Sequence, residues 1–188
     1  VNEMGEIEKL NSVPIIETER LLLRGLTVED ADDLYEYASE HKVSQYVPWD
    51  AHKSLEDSIE FLKYILNAYE YKKKRTWAIE LKEEGKLIGT IDYVNWVPSH
   101  RKAELTYVLS HHYWGKGFTY EAAQKLLHYG FETMGLHRVE APIMLENKQS
   151  QRVLEKLGMT YEGIARQSFY LNGQYVDLAM YAILKDEI

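Results

Sequence analysis

Between Thr76 and Ser110 the apolar residues stop recurring at helical spacing and alternate instead, through three successive segments: TWAIEL, KLIGTIDYV and KAELTYVLS. Alternation puts every second side chain on one face, the pattern of a half-buried strand. The links fall at Glu83-Glu84-Gly85 and Pro98-Ser99-His100, turn-forming stretches too short to house a crossover helix. Three strands must therefore meander side by side, and the remaining chain has to cover the sheet they make.

The flanking segments supply that cover. ERLLLR at 19–24 reads as an earlier strand. TVED at Thr27 is a capping-box pattern, followed at helical spacing by Val28, Ala31, Leu34, Tyr35 and Ala38. SLED at Ser54 is a second one, followed by Leu55, Ile59, Leu62, Leu66 and Tyr69. Beyond the meander a helix is expected over about 119–134, turning Ala122, Ala123, Leu126, Leu127 and Phe131 inward. A strand at 138–144, a short helix at 149–157 and a hairpin turning at Asn172-Gly173 complete the chain. This order predicts an α/β (α+β) protein with a mixed sheet of about seven strands and about four helices.

No repeat, low-complexity tract or linker divides the 188 residues, so one domain over 1–188 is expected, with the polar stretch 1–11 as a loose arm. The absence of cysteine excludes disulfides, thiolate metal sites and a cysteine nucleophile. No segment has the apolar length of a membrane span, and VNEMGEIEKLN is too charged for a secretory core; no membrane partner and a cytoplasmic location are expected. A net charge of −8 argues against a broad nucleic-acid surface. It is compatible with cationic substrates, and equally with plain solubility. The seven histidines lack metal-ligand spacing, and no metal is expected.

Chemistry concentrates at HYWGKGFTYEA, from His112 to Ala122. Gly115 and Gly117 stand between a strand and a helix, where a chain without Cβ can approach a ligand closely and the helix N-terminus offers free N–H groups to a phosphate. A G-x-G pair alone also fits a tight connection. The GKGFT segment lacks the spacing of a nucleotide-binding Walker loop. Its surroundings resemble the acyl-CoA signature Q/R-x-x-G-x-G/A of the GNAT N-acetyltransferase superfamily, with His112 at the Gln/Arg position. They are closer still to the YWGKGYATEAL of the ribosomal-protein alanine N-acetyltransferase branch. TERLLLR, YVPW at Tyr46, IGTID at Ile88, AELTY at Ala103, ENKQSQRVLEKLGM at Glu146 and NGQYVD at Asn172 extend that resemblance from about Ile16 to Lys185.

The resemblance implies a mostly antiparallel sheet splayed at an acetyl-CoA site, and direct attack of a primary amine on the thioester. Backbone groups of Tyr107, Val108 and Leu109 would meet the pantetheine arm. Tyr113, Trp114, Gly115, Lys116, Gly117, Phe118, Thr119 and Tyr120 would hold the pyrophosphate. Asn147 would contact the pantetheine or cap its own helix, and Arg152, in a basic stripe with Lys148 and Lys156, would meet CoA phosphates or only solvent. Glu104 on the central strand is the expected base, or else a solvated or paired strand residue. In many members a tyrosine at Leu154's position protonates the thiolate; here Ser150 is the expected partner instead, or merely a first-turn serine. Thr106 stands where a glycine is common.

Tyr46, Trp49, Asn95, Trp96 and Asp177 are the candidate acceptor walls. The amine is expected to be a protein N-terminus, whose α-amine has a pKa of about 7.7–8.0 against about 10.4 for lysine, or a small amine such as a polyamine, amino acid or antibiotic. A non-catalytic acyl-CoA-binding member is the remaining alternative, and the superfamily's habits admit a homodimer.

Overall fold

The computed structural model describes residues 13–70 and 75–188; the expected arm at 1–11 lies outside them. Strands β1 (Ile16–Glu17) and β2 (Leu21–Arg24) lead into a 3-10 turn at Val28–Asp30, then helices α1 (Ala31–Ala38), α2 (His41–Ser44) and α3 (Leu55–Glu70). The meander follows as β3 (Arg75–Leu81), β4 (Lys86–Val97) and β5 (Lys102–Leu109). Helix α4 (Phe118–Glu132), strand β6 (Arg138–Met144), helix α5 (Lys148–Lys156) and the hairpin β7 (Thr160–Leu171) and β8 (Gln174–Leu184) close the chain.

The strands form one sheet in the order β1-β2-β3-β4-β5-β6-β8-β7. All neighbours are antiparallel except β5 and β6. Eight strands and five helices among the described residues exceed the seven and four read from the sequence. The additions are β1, two residues long, and α2, a single turn. Neither is long enough to show a period.

Local chemistry accounts for the starts and stops. Asp30 accepts the Thr27 N–H (2.8 Å) and is gripped by Arg24 through Nη2–Oδ1 (2.8 Å) and Nη1–Oδ2 (3.0 Å). Arg24 also reaches Glu80 (2.6 Å), so one guanidinium ties β2, β3 and the first helix together, and these two acids hold it well above its usual pKa despite burial. The hairpin turns at Asn172 (φ 50°) and Gly173 (φ 80°), the positive angles a two-residue turn requires.

Side-chain parity assigns the two faces of the sheet. On β4, Tyr93 points to α4, donating its hydroxyl to the Leu126 carbonyl (2.7 Å), and Trp77 of β3 packs edge-on against it. Asp92, one residue away, points to the opposite face, where α1 and α3 lie. Gly130 is what lets α4 approach so closely: a Cβ there would overlap the Tyr93 hydroxyl and come within 3.1 Å of Leu136 Cδ1.

Gly130→Ala should therefore destabilise the protein. Overpacking costs roughly 1–3 kcal/mol, more than the helix-propensity gain of about 1 kcal/mol offsets when buried Tyr93 has nowhere to move. A lowered thermal midpoint is the expected reading; an unchanged or raised midpoint would show that α4 can shift freely.

Candidate functional site

The parallel pairing of β5 with β6 ends almost as soon as it starts. Lys102, Ala103 and Glu104 pair with Arg138, Val139 and Glu140, and no rung follows. β6 continues to pair with β8 through Met144, and β5 with β4 through Leu109. The sheet thus opens a gap between residues 105–109 and 141–144. Ser110 donates its N–H across β4 to Ile88 (2.7 Å), so by strand alternation the backbone groups of Tyr107 and Leu109 face the gap while those of Val108 face β4. The Leu109 carbonyl is already taken by Trp114 Nε1 (2.8 Å).

A groove of about 840 Å³ runs from this gap over the N-terminus of α4. Tyr107, Val108 and Leu109 form one wall; Asn147, Ser150 and Arg152 form another; between Tyr113 and Tyr120 every residue except Lys116 lines it. Gly115 (φ 75°) and Gly117 (φ 81°) adopt the left-handed conformation, and Gly117 is the residue from which α4 starts. A left-handed residue followed by helix turns successive N–H groups to one side, a concavity suited to an anion. Lys42, Lys148, Arg152 and Lys156 also line the groove, against one carboxylate, Glu146. Lys116 points elsewhere, its ammonium 5.4 Å from the Tyr113 ring centre.

The turn is braced from behind. Arg20 donates Nη1 to the Lys116 carbonyl (3.0 Å) and Nε to Glu121 (2.7 Å), and its guanidinium lies 4.3 Å from the Phe118 ring centre. Glu121 also accepts from the Arg20 N–H (2.8 Å) and the Thr18 hydroxyl (2.6 Å). Burial raises the Glu121 pKa, but these donors outweigh it and hold the carboxyl below its ordinary value. The brace pulls the Lys116 carbonyl outward and neutralises an acid in the first turn of α4, where it would otherwise oppose a bound anion.

A second cavity, about 660 Å³, adjoins the gap. Tyr46, Trp49, Asn95 and Glu104 line it, joined by apolar side chains including Leu34, Phe61, Phe169 and Met180. Tyr46, Val47, Tyr107, Val108, Asn147 and Ser150 line both spaces, so the two meet at the gap. Glu104 stands at the last closed rung and receives a hydrogen bond from Asn95 Nδ2 (2.9 Å). Trp96 and Asp177 line neither space. Trp96 faces the Arg75 guanidinium, 5.1 Å from one of its ring centres, and Asp177 accepts the Gln167 N–H (2.7 Å) at an irregularity of β7.

On α5, Asn147 Oδ1 caps the helix by accepting the Ser150 N–H (3.1 Å). Tyr107 extends its hydroxyl to the Ser150 carbonyl (3.5 Å), and burial pushes its phenol up to about 12. Leu154 is fully buried and lines the second cavity with Ser150.

Sequence reasoning missed Lys42 because it sits on the unannounced α2, His52 because it belongs to no motif, and Asp92 because within IGTID it reads as one polar position of a strand. His52 stacks between Trp49 (5.3 Å) and Phe61 (5.9 Å), with Nδ1 2.8 Å from the Ser58 hydroxyl; burial lowers its pKa, which favours neutral imidazole. Among the described residues no group of three His, Asp or Glu side chains is placed to hold a metal ion, and no helix is long and apolar enough to cross a membrane.

The profile of the acetyltransferase (GNAT) domain matches residues 20–160. The uncharacterized N-acetyltransferase YoaA of Bacillus subtilis is 36% identical over 92% of this chain and 97% of its own. The spermidine N(1)-acetyltransferase of Escherichia coli is 30% identical over 81% of this chain and 80% of its own. Among solved structures, the ribosomal-protein-S5-alanine acetyltransferase of Vibrio fischeri superposes with a TM-score of 0.79 at 25% identity, covering 93% of this chain and 98% of that one. With its open β5–β6 gap, its glycine turn and this match over most of its length, the chain belongs to the GNAT family of acetyltransferases.

Proposed function

We propose that the protein transfers an acetyl group from acetyl-CoA to a primary amine by direct attack, the donor lying in the groove and the acceptor in the second cavity. The observation that supports this reading is the shared wall: a groove lined by four cations and a cavity with two carboxylates in an apolar wall meet beside the gap between β5 and β6. The backbone N–H groups of the Gly115–Gly117 turn and the first turn of α4 hold the pyrophosphate, with Lys42, Lys148, Arg152 and Lys156 supplying countercharge. The gap-facing backbone of Tyr107 and Leu109 aligns the pantetheine and offers an N–H to the thioester oxygen. Glu104 receives the acceptor's proton, directly or through water, and the Ser150 hydroxyl hydrogen-bonds the departing sulfur.

The acceptor read first is the α-amine of a polypeptide N-terminus, of which the ribosomal-protein branch is one instance. Two carboxylates, Asp92 and Glu104, stand among mainly apolar and aromatic lining residues, which suits one ammonium on an apolar body better than the several charges of a polyamine. A small amine is the second reading, favoured by the spermidine N(1)-acetyltransferase among the relatives.

Thiol release with acetyl-CoA against alanyl- and seryl-peptides, spermidine and aryl-alkylamines tests both. Turnover of peptides above the small amines supports the first reading, the reverse order supports the second, and calorimetry showing no affinity for acetyl-CoA or CoA would sink both. Ser150→Ala should lower turnover roughly 10- to 100-fold at saturating acetyl-CoA, the worth of one hydrogen bond to a charged group, with little change in acetyl-CoA affinity. Full turnover would remove Ser150 from the mechanism. Arg20→Ala should weaken acetyl-CoA binding about three- to tenfold, as expected for an unneutralised acid near the helix N-terminus, and leave turnover at saturation unchanged. An unaltered affinity would show that the turn holds its shape without the brace.

A further inference from the structure

Asp92 is 8% exposed, lines the acceptor cavity, and lies on the cavity face of β4. Its cross-strand partner is Thr106, whose hydroxyl donates to Asp92 Oδ2 (3.3 Å); Glu104 is opposite Val94, two residues further along. The position along the strands matters. Glu104 belongs to the last rung at which β5 still pairs with β6, whereas Thr106 and Asp92 stand level with the open stretch where the donor groove arrives. A two-residue step along a strand is about 7 Å, enough to separate a group at the closed end from one beside the reacting centre. Asp92 is one strand in from the gap, and Thr106 bridges that distance.

The surroundings give this carboxylate reach. Tyr37 from α1 and Tyr69 from α3 have their phenols pushed up chiefly by burial, with Asp92 a lesser contributor to both, so both helices over the cavity stand near this carboxylate. The remaining wall is apolar and aromatic, with Trp49, Phe61 and Phe169 among it. In so poorly solvated a space an ammonium gains far more from a fixed carboxylate than it would in water.

We infer that Asp92, with the Thr106 hydroxyl beside it, is the anchor for the acceptor's ammonium group, and that the site takes a primary ammonium carried on an apolar or aromatic body. This rests on the acceptor reading above and adds a specificity-determining residue to it. Asp92 binds and orients the cation through charge-assisted hydrogen bonds, while Glu104, two residues further along, receives its proton through water.

Calorimetry on the full chain saturated with CoA, with phenethylammonium and its neutral isostere phenethyl alcohol as probes, separates the possibilities. The wild type should bind the ammonium at least tenfold more tightly than the alcohol, and Asp92→Asn should bring the two to similar affinity. Equal affinities in the wild type, binding of neither probe, or an undiminished preference in Asp92→Asn would overturn the proposal. The CoA titration that precedes each run reports separately on the donor reading, and a retained CoA affinity and thermal midpoint show that Asp92→Asn is folded. Should that variant not fold, Thr106→Val is used instead: it keeps the volume, removes the bridging hydroxyl, and should cut the ammonium preference by severalfold. An unchanged preference there counts against the site.

Discussion

The site depends on a constraint of strand pairing: β5 and β6 run parallel for three rungs and then separate, each held by its other neighbour. Separating two strands leaves backbone N–H and C=O groups without sheet partners, a cost that a buried interior does not tolerate unless something else fills the gap. Here part of the answer is internal, since Trp114 Nε1 takes the Leu109 carbonyl. What stays open around Tyr107 and the Leu109 N–H is a strip of hydrogen-bonding backbone suited to an amide-bearing chain such as pantetheine. The same opening joins the two faces of the sheet, which in a closed sheet would be isolated from each other.

Around that gap the fold keeps two electrostatic environments apart. In the groove, left-handed glycines, a helix N-terminus and four cations, three from α5 and Lys42 from α2, favour an anion. The acid that would spoil this, Glu121, is bound by Arg20 and Thr18. The α1 and α3 side presents Asp92 and Glu104 within an apolar wall. Leu154 belongs to this division as well. A tyrosine there would carry a hydroxyl into the space beside Ser150, whereas leucine, fully buried, leaves Ser150 and the Tyr107 hydroxyl among the polar groups at that corner. A phenol raised by burial is a reluctant acid, so Tyr107 is better suited to orienting the Ser150 backbone than to protonating a thiolate.

Legibility in the sequence followed the length of the signal. The meander, α3, α4, α5 and the Asn172-Gly173 hairpin were readable because alternation, helical spacing, caps and turn chemistry each extend over several residues. β1 and α2 were not, since two strand residues and one helical turn carry no period, and Lys42 was missed with α2. Within the site, the groove residues were legible through a contiguous motif. Asp92 was invisible for a different reason: in KLIGTIDYV it reads as one polar position of an alternating strand, and only the register with Thr106 places it beside the gap. Trp96 and Asp177 looked like walls from their neighbourhood in the chain; their actual partners, Arg75 and the Gln167 backbone, are contacts that composition cannot announce.

The overall charge of −8 then takes on a more specific meaning. A phosphorylated donor approaching an acidic protein is repelled at long range, and at physiological salt that field fades beyond about 8 Å. Inside that distance the local lining decides, and Lys42, Lys148, Arg152 and Lys156 make the groove attractive although the molecule as a whole is not. An ammonium acceptor of the kind proposed would meet the opposite situation, drawn by the net charge from afar and by Asp92 at close range. Making the whole surface basic would favour the donor at the acceptor's expense. Confining positive charge to the groove would let an acidic protein take an anionic donor and, on the reading proposed, a cationic acceptor, and bring the two together beside the gap.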